Sequence, residues 1–335
     1  MTTIVTTGRE RGVTDFRDMV LLPVIAIVFV LASLFVPYFF SANNIINNIL
    51  GNSAVLGILV IAQAIILIGG YFDLSMQSVV ALAPMIAAWL ISPIGSGLGL
   101  ALGDVGAILI VFAVGGIIGT ANGFFVAILK LNPFIVTLAQ LILLQGFVLG
   151  ISSGMTISNL PSSMTFLGDH RLLGAKLYVW LLIGAFVFAA WFMGKTATGR
   201  HIYALGGNAA AARANGINTS RLTFGLYIFG GLMAALAGLV LSSRIASVTA
   251  TQGNNIIFTV FAAAVIGGIS LDGGKGSILG AASGVILLAM VQNILVLSNI
   301  PSFWIDATYG AIILGALLFG SRELRTILRL PSVKG

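Results

Sequence analysis

Cysteine is absent from the 335 residues, and acids and histidines are scarce, with nine Asp and Glu together and two His. Disulfides, thiolate metal sites and a cysteine nucleophile are therefore excluded. So few acids and histidines also leave little material for a catalytic centre or a metal site. Charged residues make up 7% of the chain against 59% hydrophobic, and mean hydropathy is +1.11. That balance lies far outside the soluble range and points to an all-α polytopic membrane protein. The net charge of +7 would suggest nucleic acid in a soluble chain. In this one it fits loops held on the negative side of a membrane, and no nucleic-acid partner is expected.

What is present is a series of apolar runs. With roughly 20 apolar residues needed per helical crossing, the chain is read as about ten spans. They are Val20–Phe40, Leu50–Ile68, Leu74–Ile91, Val105–Leu129, Phe134–Ile151, Tyr178–Met193, Leu222–Leu241, Ile256–Ile269, Ser277–Leu297 and Phe303–Gly320. The first run is longer than a signal-peptide core and lacks a small-x-small cleavage site, so it is expected to be a retained span. With the N-terminus inside, thirteen of the basic residues fall in inner segments, while only Arg171, Lys176 and Arg244 fall outside. The positive-inside rule then places both termini in the cytoplasm. Residues 1–19 and 321–335 are cytoplasmic tails on this reading, and 20–320 form the membrane domain.

One segment breaks the apolar pattern. Gly199 to Asn218 is polar, basic and punctuated by glycines, and the charge count puts it on the cytoplasmic side. Asn208 is a good N-cap, Ala209 to Ala212 are strong helix formers, and Gly216 stands where a C′ glycine belongs. Two helical turns are not stable alone in water, so this helix is expected to dock on a partner. Gly207, Asn208, Ala211, Ala212, Arg213 and Gly216 are its candidate contact residues.

Two glycine series stand at i, i+4, i+8: Gly115, Gly119 and Gly123, then Gly276, Gly280 and Gly284. Such faces let helix backbones approach closely. The loop Gly267–Gly280 fails as a phosphate loop. A Walker A motif ending at Gly274-Lys275 needs Gly at 269 and Ser or Thr at 276, where the chain has Ile269 and Gly276. ATP is thus not expected on this chain. Asp73, at a membrane boundary in Gly69–Ser75, is a functional candidate by default, and it or Ser75 can also cap the next span. Polar residues within spans are few: Gln63, Asn122, Gln140, Gln145, Gln292, Asn293 and Tyr309. Asp73, Ser75, Asn122, Gln292 and Asn293 are the candidate pathway residues, although each intramembrane amide can equally bridge two helices. Apart from Asp73 only Asp306 comes near a span. An ion-coupled carrier usually has acids at mid-membrane, so coupling energy is expected to enter elsewhere. A short echo, IGGYFD at 68–73 and IGGISLD at 266–272, closes two inward-running spans.

Four stretches together resemble the permease subunits of bacterial ABC importers for sugars of the ribose/xylose type: GGYFDLS (69–75), LNPFIVTLA (131–139), GRHIYALGGNAAAARANGI (199–217) and AAAVIGGISLDGGKGSILGAASG (262–284). The resemblance runs collinearly from about Asn43 to Phe319. It implies a second permease subunit, identical or related, and a cytoplasmic ABC ATPase that carries ATP and Mg. It also implies a periplasmic or lipid-anchored solute-binding protein and location in the bacterial inner membrane. On this likeness the 199–218 loop is the coupling segment. An ABC permease for nucleosides or branched-chain amino acids stays open, and so, more remotely, does an ion-coupled carrier.

Overall fold

The computed structural model describes residues 21–93 and 97–320. The terminal segments expected to be cytoplasmic, 1–19 and 321–335, lie outside the described residues. The chain forms helices α1 Leu21–Phe35, α2 Asn44–Ile68, α3 Met76–Ile91, α4 Gly103–Ile128, α5 Pro133–Ser152, α6 Ser162–Asp169 and α7 Leu177–Lys195. They continue with α8 Ala197–Gly207, α9 Ala209–Ala214, α10 Thr219–Ile245, α11 Ile256–Ile266, α12 Ile278–Leu297 and α13 Ser302–Gly320. Among the described residues the one sheet is a hairpin of two-residue strands, β1 Arg171–Leu172 with β2 Ala175–Lys176. Among the described residues six helices, α2, α4, α5, α7, α10 and α12, are long and apolar enough to cross a membrane.

Three of the other expected spans come out shorter, for local reasons, while the last, expected over Phe303–Gly320, is helical from Ser302. The first expected run, Val20–Phe40, is helical only through Phe35. The third expected run begins at Leu74, but its helix starts at Met76, after non-helical residues 71–74. α11 has 11 residues, about 16 Å of rise against a hydrocarbon core of about 30 Å. It stops at Ile266 because Gly268, at φ +84°, closes a Schellman turn. Gly267 N–H donates to Ala263 O, Gly268 N–H to Val265 O and Ile269 N–H to Ala264 O. α2 ends the same way: Gly69 N–H donates to Ile65 O, Gly70 N–H to Leu67 O and Tyr71 N–H to Ile66 O, with Gly70 at φ +83°. The echo in the sequence is thus one helix-stop device used twice.

α2 is the centre of the bundle. Nearly every residue from Ala54 to Ile68 is buried, and α7, α10, α11 and α12 surround it. Its polar members are few because hydrocarbon offers no hydrogen bonds. The outward faces of α4, α5 and α7 are equally apolar, with Val105, Leu109, Ile142, Val187 and Phe188 exposed. Such an inside-and-outside apolar surface suits lipid as the surrounding solvent.

The two ends of the bundle are tied separately. At the end carrying α8 and α9, Lys130 Nζ donates to Ser220 Oγ at 2.7 Å and Tyr203 Oη to Gly276 O at 2.8 Å. At the far end Ser162 Oγ donates to Asp104 Oδ2 at 2.9 Å, Ile157 pairs with Val248, and Gly168 N–H donates to Ser243 Oγ at 2.6 Å.

α4 and α10 run against each other on glycine. A β-carbon at Gly115 would lie 2.5 Å from Gly231 O, at Gly119 it would collide with Tyr227 O, and at Gly123 it would meet Phe224. The second series differs from its expectation. Gly280 and Gly284 press on the Gly267 and Ala263 carbonyls of α11, but Gly276 lies in the preceding turn at φ +126° and is not on the helix.

Candidate functional site

The segment that departs from the apolar pattern folds as two helices in an angle. Thr196 Oγ1 accepts Gly199 N–H at 3.0 Å and opens α8, a helix that polar composition hid. α8 ends at Gly207, and Asn208 leaves helical space at φ −162°. Its Oδ1 accepts the N–H groups of Ala210 and Ala211, each at 3.0 Å, and so opens α9. Gly216, at φ +81°, closes α9 with Gly216 N–H on Arg213 O and Ile217 N–H on Ala212 O. Ala210, Ala211 and Arg213 are exposed, while Ala212 is buried against its own chain. Of the candidate contact residues, then, Ala212 does not face outward.

Beneath α8 three turns meet backbone to backbone, each carrying a Gly-Gly pair. Gly274 N–H donates to Ile68 O at 2.8 Å. A β-carbon on Gly206 would fall on that same Ile68 oxygen and stand 2.6 Å from Gly274 N. One on Gly273 would stand 2.8 Å from Gly70 Cα, and one on Gly274 would stand 2.6 Å from Gly207 Cα. The three pairs, Gly69–Gly70, Gly206–Gly207 and Gly273–Gly274, were visible as residues in the sequence. Their convergence was not, because they are far apart along the chain.

The turn after α2 leads directly to Asp73, which is 1% exposed. Asp73 Oδ1 accepts Ser75 N–H at 2.9 Å and Ser75 Oγ–H at 2.6 Å, and Asn122 Nδ2 donates to Ser75 Oγ at 2.7 Å. Ser75 stands at the N-cap of α3, yet its hydroxyl is used on Asp73 and makes no cap bond. Tyr227 Oη donates to Phe72 O at 2.9 Å. Gly230 leaves room above the cluster, where a β-carbon would stand 3.5 Å from Asp73 Oδ2. Asn122 Oδ1 is buried and has no protein hydrogen bond. Three of the five candidate pathway residues are therefore one connected cluster.

The other two part company. Asn293 exchanges two hydrogen bonds of 2.8 Å with Asn44, so both its amide atoms are spent joining α12 to the start of α2. It is a helix-to-helix bridge and not part of an open path. Its neighbour Gln292 lines a polar cavity of about 280 Å³ at the far end, with Asn52, Arg244, Asn254, Asn255 and Thr259. Arg244 Nη2 donates to Asn52 Oδ1 at 2.6 Å, and its guanidinium lies 5.7 Å from the Tyr178 ring centre. No acid lines this cavity among the described residues. Leu56 is also in its wall. Gln63 lies seven residues further along α2, about two turns on the same face, and is fully buried with neither amide atom hydrogen-bonded to protein. Among the described residues no group of three or more His, Cys, Asp and Glu could hold a metal ion.

Comparison with known proteins bears on what such an arrangement serves. The family described as "Branched-chain amino acid transport system / permease component" matches residues 45–321. The chain is 33% identical over 274 residues to the autoinducer 2 import system permease protein LsrC of Yersinia pestis (strain Pestoides F), covering 82% of this chain and 76% of the relative. The same figures hold for the protein of that name from Yersinia pseudotuberculosis serotype O:3 (strain YPIII). No solved structure matches.

Proposed function

Because the chain belongs to the branched-chain amino acid transport system / permease component family, we propose that it carries a sugar or sugar-like polyol through the bilayer as one half of an ATP-driven importer. The chain itself is the transport subunit of an ABC importer and a multi-pass protein of the inner membrane, not an enzyme. ATP and Mg belong on a partner ATPase, and a solute-binding protein delivers the solute at the far end. A second permease subunit completes the path. We place the α9 end in the cytoplasm. On that placement α1 to α5, α7 and α10 to α13 make ten crossings, and beside the short α3 and α11 the non-helical chain is buried at Asp73, Leu74, Gln252 and Ile269.

The observation that carries the choice of solute is the far-end cavity. Its amides, hydroxyls and one arginine offer donors and acceptors to a polyol. A branched-chain amino acid would bring an ammonium group and an apolar side chain, and among the described residues no acid lines the cavity for the first. Gln63 and the Asp73–Ser75–Asn122 cluster continue the polar line inward. The Yersinia relatives are named for import of autoinducer 2, and a small hydroxylated solute of that kind suits this lining.

Coupling enters at α9. Ala210, Ala211 and Arg213 form a slim, exposed, basic-edged face for a groove on the ATPase, and the glycine junction conveys its displacement to the turns before α3 and α12. The test is reconstitution with the ATPase and binding protein in vesicles. Uptake of radiolabelled solute should require ATP inside or outside according to orientation, and uptake driven by an ion gradient alone would overturn the assignment.

A further inference from the structure

A second cavity, of about 480 Å³, is set between α2, α7, α8 and α10. Its floor is core: Ile65, Ala189, Ile202 and Leu226 are each buried. Its rim is open, for Phe188 is 60% exposed and continuous with the apolar outer face of α7 at Val187 and Trp191. A hydroxylated solute gains nothing from such a lining. Along α10 the cavity runs from Arg221 to Met233, twelve residues or about 18 Å, a little over half the thickness of a hydrocarbon core. Arg221 stands at the α8 end of this slot, exposed, with no acid among the described lining residues and no side-chain hydrogen bond there. Apolar depth of one leaflet with a lone cation at the water end is the outline of an anionic lipid. Basic pockets between membrane helices on the cytoplasmic side are suited to such headgroups.

We propose that this cavity holds one acyl chain of an anionic phospholipid from the cytoplasmic leaflet, with its phosphate on Arg221. The leaflet follows from the sidedness given under the proposed function; the occupant itself rests on the cavity. Because Ile202 of α8 forms part of the floor, the bound chain lies against the helix that leads into α9 and braces it.

The experiment is lipid retention by the purified full chain, delipidated in detergent and titrated with phosphatidylglycerol or with phosphatidylcholine of the same acyl length, read by native mass spectrometry. Phosphatidylglycerol should be retained at concentrations at least tenfold lower than phosphatidylcholine. Arg221→Gln, a surface change, should abolish that preference, and Gly225→Phe, which fills open space in the wall, should lower retention of both lipids. Equal retention of the two lipids by the native chain overturns the proposal, as does a preference that survives Arg221→Gln or retention unaffected by Gly225→Phe. A second copy seated on the groove is the rival occupant. Phe188→Cys gives the chain its single thiol, and disulfide-linked dimers that form in place of lipid binding overturn the lipid reading. None of these readouts involves transport, so this proposal and the importer assignment fail separately.

Discussion

The two ends of the bundle both carry side-chain hydrogen bonds but differ in what lies at their centres. At the α9 end the turns touch through backbone, where Gly206, Gly273 and Gly274 leave no space for a methyl group. At the far end the elements are joined by side chains: Asp104 to Ser162, Ser243 to Gly168, Gln252 to the Val80 carbonyl, Arg244 to Asn52. A polar cavity lies among them. Backbone contact is stiff, since interlocked main chains have no rotamers to change. Side-chain contact can be exchanged for contact with a solute at little cost. The contrast suits an importer that transmits force at one end and admits cargo at the other.

Substitutions at the two ends can break that contrast, and the largest effect is expected at Gly206. An alanine there puts a methyl group on the Ile68 carbonyl, and overpacking against backbone costs about 3 kcal/mol or more. Thermal unfolding in detergent should show a large drop in midpoint, with uptake lost. Gly207→Ala is the control, because nothing lies within 4 Å of its added carbon. If the two variants behave alike, the junction is not rigid.

Next comes Asn122→Ala. It removes the donor to Ser75 Oγ in a buried cluster, at a cost of about 1–3 kcal/mol. Uptake should fall more than stability does if the cluster lies on the path. Equal losses of uptake and stability would reduce it to a structural bridge.

Arg244→Ala, at the far end, should cost only about 1 kcal/mol of stability because Arg244 is partly solvated. Its effect belongs in uptake, as a several-fold rise in the solute concentration needed for half-maximal rate. A fall in midpoint matching that of Gly206→Ala would erase the difference between the ends. Smallest in stability is Arg213→Glu, within about 0.5 kcal/mol as for most surface changes. Capture of the ATPase by the reconstituted permease should nevertheless weaken, and Ala211→Trp should weaken it too. Normal capture by both variants assigns coupling elsewhere.

Much of this architecture could be read before any coordinates. Long apolar runs announce membrane helices because lipid leaves the backbone no other partner, and Asn208 and Gly216 mark helix ends by chemistry confined to a few residues. Asp73 and Ser75 are neighbours in the chain, so their pairing was within reach. Asn122 was visible as a polar residue but not as their partner, since 47 positions separate it from Ser75. Gln292 and Asn293 illustrate the limit. Adjacent on one helix, they point in different directions, one to a cavity and one to Asn44. In α12 the apolar residues go all round, so no periodicity tells which side is lipid and which is protein. α8 escaped notice because it is only 11 residues long and Thr198, Arg200 and His201 interrupt its apolar pattern. α11 was expected, but its end was read at Ile269 and not Ile266, because hydropathy does not register the Schellman turn that stops it.

α10 touches every site described above. Its 27 residues make a rod about 40 Å long, capped by Asn218 beside α9, passing Asp73 at Gly230 and ending at the cavity with Arg244. Near its middle Gly231 is clasped by Gly115 and Gly119 of α4. Such a rod is a lever with its fulcrum already in place. A tilt of about 5° about Gly231 carries each end roughly 2 Å, in opposite senses, over arms of about 18 and 21 Å. A push of bond-length scale at α9 thus arrives at the far cavity reversed in direction and slightly enlarged.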